Sequence, residues 1–535
     1  MTEEESLRRR IGQLLAFGFD GLTASEQVKD WIGSAYLGNV VLFSHNVRDI
    51  EQVTALTQLL QKTAEESGQD LPLSISADQE NGIVSRLPED IPGLPGNMAI
   101  CATGDPENAF RAGQATATIL RKLGINCDLA PVLDVNSNPD NPVIGVRSFG
   151  DRAESVAQFG VQFVLGLQSQ GIIACGKHFP GHGDTTVDSH LNLPIISRGR
   201  EQLREIDLMP FKAAIDAGID SIMTAHVAFP AMESEPQHLP ATLSYRILTE
   251  LLRHELGFEG VVATDSLGMN AISKTVGVGP GAVLALKAGA DLIMVAHQSD
   301  QPTAALQAIM RAVDSGQLSE ARVNQAYQRV RAMKMKRLAS PVPVPSSGWP
   351  VLLENTRTLQ TALAESAVTV LRNSGQGLPR TPQRLAVLID SRRGSTVAAN
   401  PGDGRPVPQL GQTIRQVLPQ ASVSTYLFSS SLSEQSRNRL MAVLQTYEGV
   451  VIGINGTGST EYTQFVNALY TTSTPAVTLL LGNPYDARSV SQAPNLWALY
   501  ENTPWMMQAA VRAVFGGRPT RGRLPVRVSD LLKAN

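Results

Sequence analysis

The sequence predicts an α/β protein, an N-terminal (β/α)8 barrel of the TIM type followed by a C-terminal α/β sandwich domain. Up to Val295, short and nearly continuous apolar runs alternate with amphipathic helical stretches, which is how parallel strands buried on both faces read in a βα series. A proline-rich break then separates this region from a second, shorter series of the same kind. At 535 residues the chain is too long for one core and fits a barrel plus a smaller unit.

Near the N-terminus, Glu3, Glu4 and Glu5 precede an apolar stretch at 11–19 that Gln13 interrupts and Asp20 closes, unlike a secretory signal. Strands are predicted at 39–43, 73–77, 125–133, 172–177, 221–225, 260–264 and 291–295. Helices are predicted at 50–66, 106–123, 154–168, 201–217 and 281–288. Seven strands fit a barrel of about eight better than a doubly wound sheet of five or six, and no GxGxxG follows the first of them. A basic amphipathic helix at 322–335 ends the barrel. The alternating prolines of 339–348 then favour an extended linker. The expected division is 1–338 barrel, 339–350 linker and 351–535 second domain. That second domain has a helix at 352–371 and strands at 384–389, 423–428, 450–453 and 476–481. Its Gly456-Thr457-Gly458-Ser459-Thr460 loop has the look of a phosphate cradle but lacks the Walker lysine, and reads as a turn.

Composition narrows the function. With 42% hydrophobic and 18% charged residues, a net charge of −4 and a mean hydropathy of −0.05, the chain reads as an ordinary soluble protein. It shows no electrostatic footprint for nucleic acid or an anionic membrane, and no run of about 18 apolar residues. Cys101, Cys127 and Cys175 form no CxxC, so reduced buried thiols are expected rather than disulfides or a thiolate metal site. The expected location is cytoplasmic, with neither metal nor organic cofactor.

Active sites of such barrels lie at the C-terminal ends of the strands, and polar residues cluster there: Ser44-His45-Asn46, Asp78-Gln79-Glu80-Asn81, Asp134, Lys177-His178, His226, Asp265-Ser266 and His297. One such residue reads as a helix cap, but seven strands followed in this way point to a shared site. The densest stretch, 172–194, leaves its strand into a Gly- and Pro-punctuated segment carrying Lys177, His178, His182, Asp184, Asp188 and His190. Three of the eight histidines fall within it.

Lys177-His178-Phe179-Pro180-Gly181-His182-Gly183-Asp184-Thr185, followed by Asp188-Ser189-His190, resembles glycoside hydrolase family 3, and within it the bacterial β-N-acetylhexosaminidase branch. The resemblance extends to Asp78-Gln79-Glu80 with Arg86, to Ala130–Asp134, to Arg147-Ser148-Phe149-Gly150 and to Ala263-Thr264-Asp265-Ser266-Leu267-Gly268-Met269. It continues more loosely to Leu481–Asp486 and Tyr500–Pro504. It implies Asp265 as the nucleophile of a retaining exo-β-N-acetylglucosaminidase, with His190 as acid/base and Asp188 as its partner. It also implies that Asp78, Arg86, Arg147, Lys177 and His178 bind the sugar, with a structural salt bridge beneath the barrel mouth as the alternative for each arginine. His226 is a candidate for the same contact or else a satisfied core residue, and His182 and Asp184 are read as shaping the loop. Where the family commonly has two glycines after Asp-Gln-Glu, this chain has Asn81 and Gly82. A small saccharide, from muropeptides or chitin, is the expected partner of a monomer or homodimer.

Other readings stay open on the sequence. A β-glucosidase or β-xylosidase of the same family would take its acid/base carboxylate from the second domain, and a phosphorylase would replace water by phosphate. A metal hydrolase fits poorly, because the His and Asp spacings match no common zinc motif. A silent sugar-binding module would not need Asp265, Asp188 and His190.

Overall fold

The structure is a computed structural model that describes residues 2–187, 193–233, 239–296, 301–339, 348–375, 377–390, 409–456, 459–517 and 520–528. Eight parallel strands build the N-terminal unit: β1 (Leu15–Phe17), β2 (Asn39–Leu42), β3 (Ser74–Ala77), β4 (Cys127–Asp128), β5 (Ile173–Phe179), β6 (Ser221–Thr224), β7 (Val261–Ala263) and β8 (Ile293–Val295). They run in the order β7-β6-β5-β4-β3-β2-β1-β8, and a bridge between Ala263 and Leu292 closes the ring into a barrel. Every residue of these strands is buried, which is why they read as unbroken apolar runs.

The strand missing from the sequence reading is β1. Its three residues lie in the apolar stretch that the helix Glu3–Gly12 shares, and three residues are too few to show a period. The strand expected at 125–133 is laddered only at Cys127 and Asp128. Beyond them the chain still follows β5, because Ala130 and Pro131 carbonyls accept from Cys175 and Lys177 at 3.0 and 3.1 Å.

The end of the barrel away from the mouth is strapped by the helix Glu320–Arg337. Its Arg322 and Arg329, with Arg253, surround the buried Asp291 carboxylate, and its Lys336 and Arg337 pair with Asp220 at 2.9 and 2.8 Å. Lys334 is fully buried and donates to Gln13 Oε1 and the Gly38 carbonyl at 2.8 and 2.7 Å. Burial pushes its amine down to about 7.

The second unit is a six-stranded sheet of β9 (Thr369–Asn373), β10 (Arg384–Asp390), β11 (Ser422–Phe428), β12 (Gly449–Ile454), β13 (Ala476–Leu480) and β14 (Asn495–Ala498), in the order β11-β10-β12-β13-β14-β9. Only β9 runs antiparallel. The helix expected at 352–371 stops at Ala367, where Thr369 and Val370 open β9 instead, consistent with the preference of β-branched residues for strands. Residues 340–347 of the expected linker lie outside the described residues, and Trp349 and Pro350 already belong to the helix Trp349–Ala367.

The two units share a core. The helix Asn97–Ala102, on the β3–β4 connection, contributes Met98, Ala99 and Ala102 to the apolar cluster that holds Met506, Met507, Ala510 and Val526 of the second unit. All three cysteines are free and buried. Burial pushes the Cys101 and Cys175 thiols up to about 12, and Cys127 well above its usual value.

Candidate active site

The segment after β3 turns back sharply, with Asn81 at φ +66° and Gly82 at φ +59°. Two successive left-handed residues explain a glycine pair at these positions, and asparagine is one of the few other residues that adopts this conformation readily. Asn81 also gains side-chain bonds that glycine lacks: it accepts from Gln79 Nε2 at 2.9 Å and donates to Thr116 Oγ1 at 3.1 Å. Gln79 Oε1 in turn accepts from Ser85 Oγ and the Arg86 amide at 3.0 and 2.8 Å.

This turn presents Asp78 and Glu80 to two cations, Lys177 on β5 and Arg147 on the β4–β5 connection. Lys177 Nζ lies 2.6 Å from Asp78 Oδ1 and 2.7 Å from Glu80 Oε1. The Arg147 fork donates to both Glu80 oxygens, at 2.8 and 2.7 Å. Two acids and two bases make the quartet neutral, so it survives burial. Burial alone would raise the Glu80 carboxyl, yet Arg147 and Lys177 hold it well below the usual range. Burial alone would lower Lys177, yet Asp78 and Glu80 hold it above its usual value, and Glu80 does the same for Arg147. Lys177 and Glu80 side chains are each 2% exposed while that of Asp78 is 20% exposed, so Asp78 is the member of these ion pairs open to a ligand. Arg86 is buried, and among the described residues it has no ion-pair partner. Its Nε makes no hydrogen bond.

One strand over, Asp134 gathers the start of the histidine-rich segment. It accepts from the His178 and His182 amides at 3.2 and 2.7 Å and from His178 Nδ1 at 2.7 Å. That last bond fixes the imidazole and makes Nε2 the nitrogen available to a ligand. Burial would raise Asp134, but His178 holds it below the usual range. His182 is held differently. The Thr185 hydroxyl donates to the His182 carbonyl, so it accepts from His182 Nδ1–H at 2.9 Å. Burial, then the neighbouring His178, pushes this ring down to about 4.

A neutral His182 has a consequence for stability. Its folded value lies below the unfolded 6.5, so its contribution is complete above pH 6.5 and is lost as pH falls from 6.5 towards 4. Unfolding in this window takes up about one proton at the site, worth about 1.4 kcal/mol per pH unit. Asp207 and Asp486, pushed up to about 6 and about 7 by burial, act with the opposite sign in overlapping ranges. The expected result is therefore a difference: in urea titrations between pH 4 and 6.5, His182→Gln should show a less positive slope of unfolding free energy against pH than wild type. Parallel curves would contradict the neutral assignment.

Asp265 follows β7 by two residues and is half-buried, with Oδ1 accepting from the Ser266 amide at 2.7 Å. Thr264 ties this strand end to β8, since its amide donates to the Leu292 carbonyl and its Oγ1 accepts from the Met294 amide. His226, buried after β6, donates from Nε2 to the Ser266 carbonyl at 2.9 Å, and its Nδ1 meets Thr242 Oγ1 at 2.8 Å. The first of these bonds ties the buried ring to the backbone beside Asp265. The base of the 181–187 segment is pinned by Arg198, which pairs with Asp184 and Asp207 at 2.9 and 2.8 Å. Asp188 and His190, expected as the proton-transfer pair, lie outside the described residues, as does His297.

The structure thus brings Asp78, Lys177 and Arg147 into one ion-pair network, with Glu80 as the hub that sequence reasoning left out of the site. Asp265 and His178 stand at the same rim. Among the described residues no group of three or more His, Cys, Asp or Glu side chains is placed to hold a metal ion, and no helix is long and apolar enough to cross a membrane.

A barrel mouth set with carboxylates and fixed cations is the arrangement of a glycoside hydrolase, and comparison with known proteins agrees. Residues 6–333 match the Glycosyl hydrolase family 3 N terminal domain. The chain belongs to glycosyl hydrolase family 3. It is 35% identical over 372 residues to Beta-hexosaminidase A of Pseudoalteromonas piscicida, with 66% of this chain matching 62% of that one. It is 37% identical over 291 residues to Beta-hexosaminidase of Stenotrophomonas maltophilia (strain K279a), where 53% of this chain covers 83% of the relative. Among solved structures, a family 3 beta-N-acetylglucosaminidase from Paenibacillus sp. str. FPU-7 superposes with a TM-score of 0.89 at 39% identity, covering 98% of this chain and 99% of that one.

Proposed function

We propose that this chain is a retaining exo-β-N-acetylglucosaminidase that removes terminal β-linked N-acetylhexosamine from muropeptide or chitin-derived saccharides. The observation that carries the reading is the rim itself, where Asp265 at the end of β7 shares the barrel mouth with the neutral Asp78–Lys177–Glu80–Arg147 quartet. Asp78 accepts sugar hydroxyls, and Lys177, His178 and Arg86 donate to them. Arg147 acts by fixing Glu80.

In this reading the Asp265 carboxylate attacks the anomeric carbon as the glycosidic C–O bond breaks, and His190 protonates the departing oxygen. Water, deprotonated by the same imidazole, then releases the sugar with its β configuration retained. Asp188 orients the ring and favours the imidazolium. The relatives named as hexosaminidases support the acetamido sugar. The saccharide source, a cytoplasmic location, action without cofactor, a monomeric or homodimeric state and domain limits at 338 and 351 are parts of the same proposal.

The test is hydrolysis of paired chromogenic β-N-acetylglucosaminide and β-glucoside by wild type and His190→Ala, with and without phosphate. The expected result is a strong preference for the acetamido sugar and a loss of about a hundredfold or more in His190→Ala, the usual size of a general acid/base contribution. A preferred glucoside with an unaffected His190→Ala would defeat the dyad, and a sugar 1-phosphate product would move the assignment to phosphorolysis.

A further inference from the structure

The segment carrying the sugar-facing Asp78 and Arg86 is held from behind by the second domain. Glu501, just after β14, reaches into the barrel unit and is only 2% exposed. Its Oε2 accepts from the Gly96 amide at 2.8 Å, and its Oε1 accepts from Thr503 Oγ1 and Trp505 Nε1 at 2.8 and 2.9 Å. The carboxylate lies against bare backbone: a Cβ on Gly82 would stand 2.5 Å from Glu501 Oε2, and one on Gly96 would stand 3.1 Å from it. Gly82 is joined to the same place by its amide, which donates to the Leu94 carbonyl at 2.9 Å.

Two neighbours complete the hold. The Trp505 ring covers Gly93, where a Cβ would meet Cη2 at 2.7 Å, and Gln360 Nε2 donates to the Gly93 carbonyl at 2.6 Å. The turn at Asn81 and Gly82 is therefore clamped on both sides, by Gln79 and Thr116 within the barrel and by Glu501 from the second domain. That turn sets the directions of Asp78 and Glu80, and its downstream end sets Arg86.

We propose that Glu501 is a positioning residue for saccharide binding, the point at which the second domain fixes the sugar-binding turn of the barrel. The proposal rests on the reading that Asp78 and Arg86 bind the sugar. It gives the second domain a part in substrate affinity without placing any of its groups on the reacting atoms. Three donors converge on the Glu501 oxygens, so a side chain that cannot accept at both ends lets the turn relax.

Glu501→Gln keeps the shape and replaces one accepting oxygen by an NH2 group that meets a donor. Its KM for a chromogenic N-acetylglucosaminide, and its Kd for free N-acetylglucosamine by calorimetry, should rise about tenfold, the equivalent of one lost charge-assisted hydrogen bond, with kcat within about twofold. Trp505→Phe, which removes one donor but keeps the ring over Gly93, should shift both constants in the same direction by less. It carries the test if Glu501→Gln does not fold. A purely structural role would lower Tm and the fraction of active enzyme while leaving KM and Kd unchanged, and that result overturns the proposal. A wild type that neither binds nor cleaves N-acetylglucosaminides would instead overturn the functional reading and this assignment with it.

Discussion

Asp265→Asn should lower kcat on a chromogenic N-acetylglucosaminide by about 10³–10⁵-fold, the range seen when a reacting group is removed and the rest of a site is left in place. The substitution keeps the oxygen that accepts from the Ser266 amide, so the strand end and its ties to β8 should persist and Tm should hardly move. Two further readouts separate a lost nucleophile from a merely disturbed pocket. Wild type should release the β-anomer first, seen by NMR before mutarotation. Asp265→Gly with azide should recover turnover and give the α-glycosyl azide. If Asp265→Asn keeps more than about a tenth of the activity, some other group forms the bond.

The largest effect on stability is expected at Lys177. Lys177→Met matches the side chain in length but leaves the buried Glu80 with Arg147 as its remaining ion-pair partner and deprives Asp78 of the ammonium 2.6 Å away. Breaking a buried ion network by removing one member costs about 3–5 kcal/mol, because the remaining charge is left poorly compensated. For a barrel of this size that corresponds to a Tm lower by roughly 10 °C. The loss should shrink in Lys177→Met/Glu80→Gln, where the stranded charge is also removed, and independent, additive effects would argue against the network. Because Glu80 is held below its ordinary 4.5, its contribution is complete above that pH and is lost as pH falls below it.

Much of this was legible in the sequence, for identifiable reasons. Strands buried on both faces announce themselves as apolar runs, so the barrel could be read from Asn39 onward. The three residues of β1 could not, because a helix end shares their apolar stretch. β9 was missed for a related reason, since it continues an apolar helical run, and β14 was not read either. Charged residues at strand ends marked Asp78, Lys177 and Asp265 as candidates. What the sequence could not show is how charges are shared across strands: Glu80 gathers Arg147 and Lys177 from segments 67 and 97 residues away. The His226 contact with the Ser266 carbonyl is equally a product of folding. The substitution of Asn81 for a glycine makes physical sense only once its φ of +66° is known.

The buried thiols lend themselves to a use outside catalysis. Cys127 and Cys175 lie on adjacent strands in the barrel wall, while Cys101 sits on the helix Asn97–Ala102 with its side chain packed in the same barrel cluster. With values pushed far above neutral and side chains buried, none presents a thiolate to an alkylating agent in the native state. Each becomes reactive only when its surroundings open. The chain therefore carries its own chemical clock, in which the labelling rates of all three thiols report opening of the barrel's apolar core.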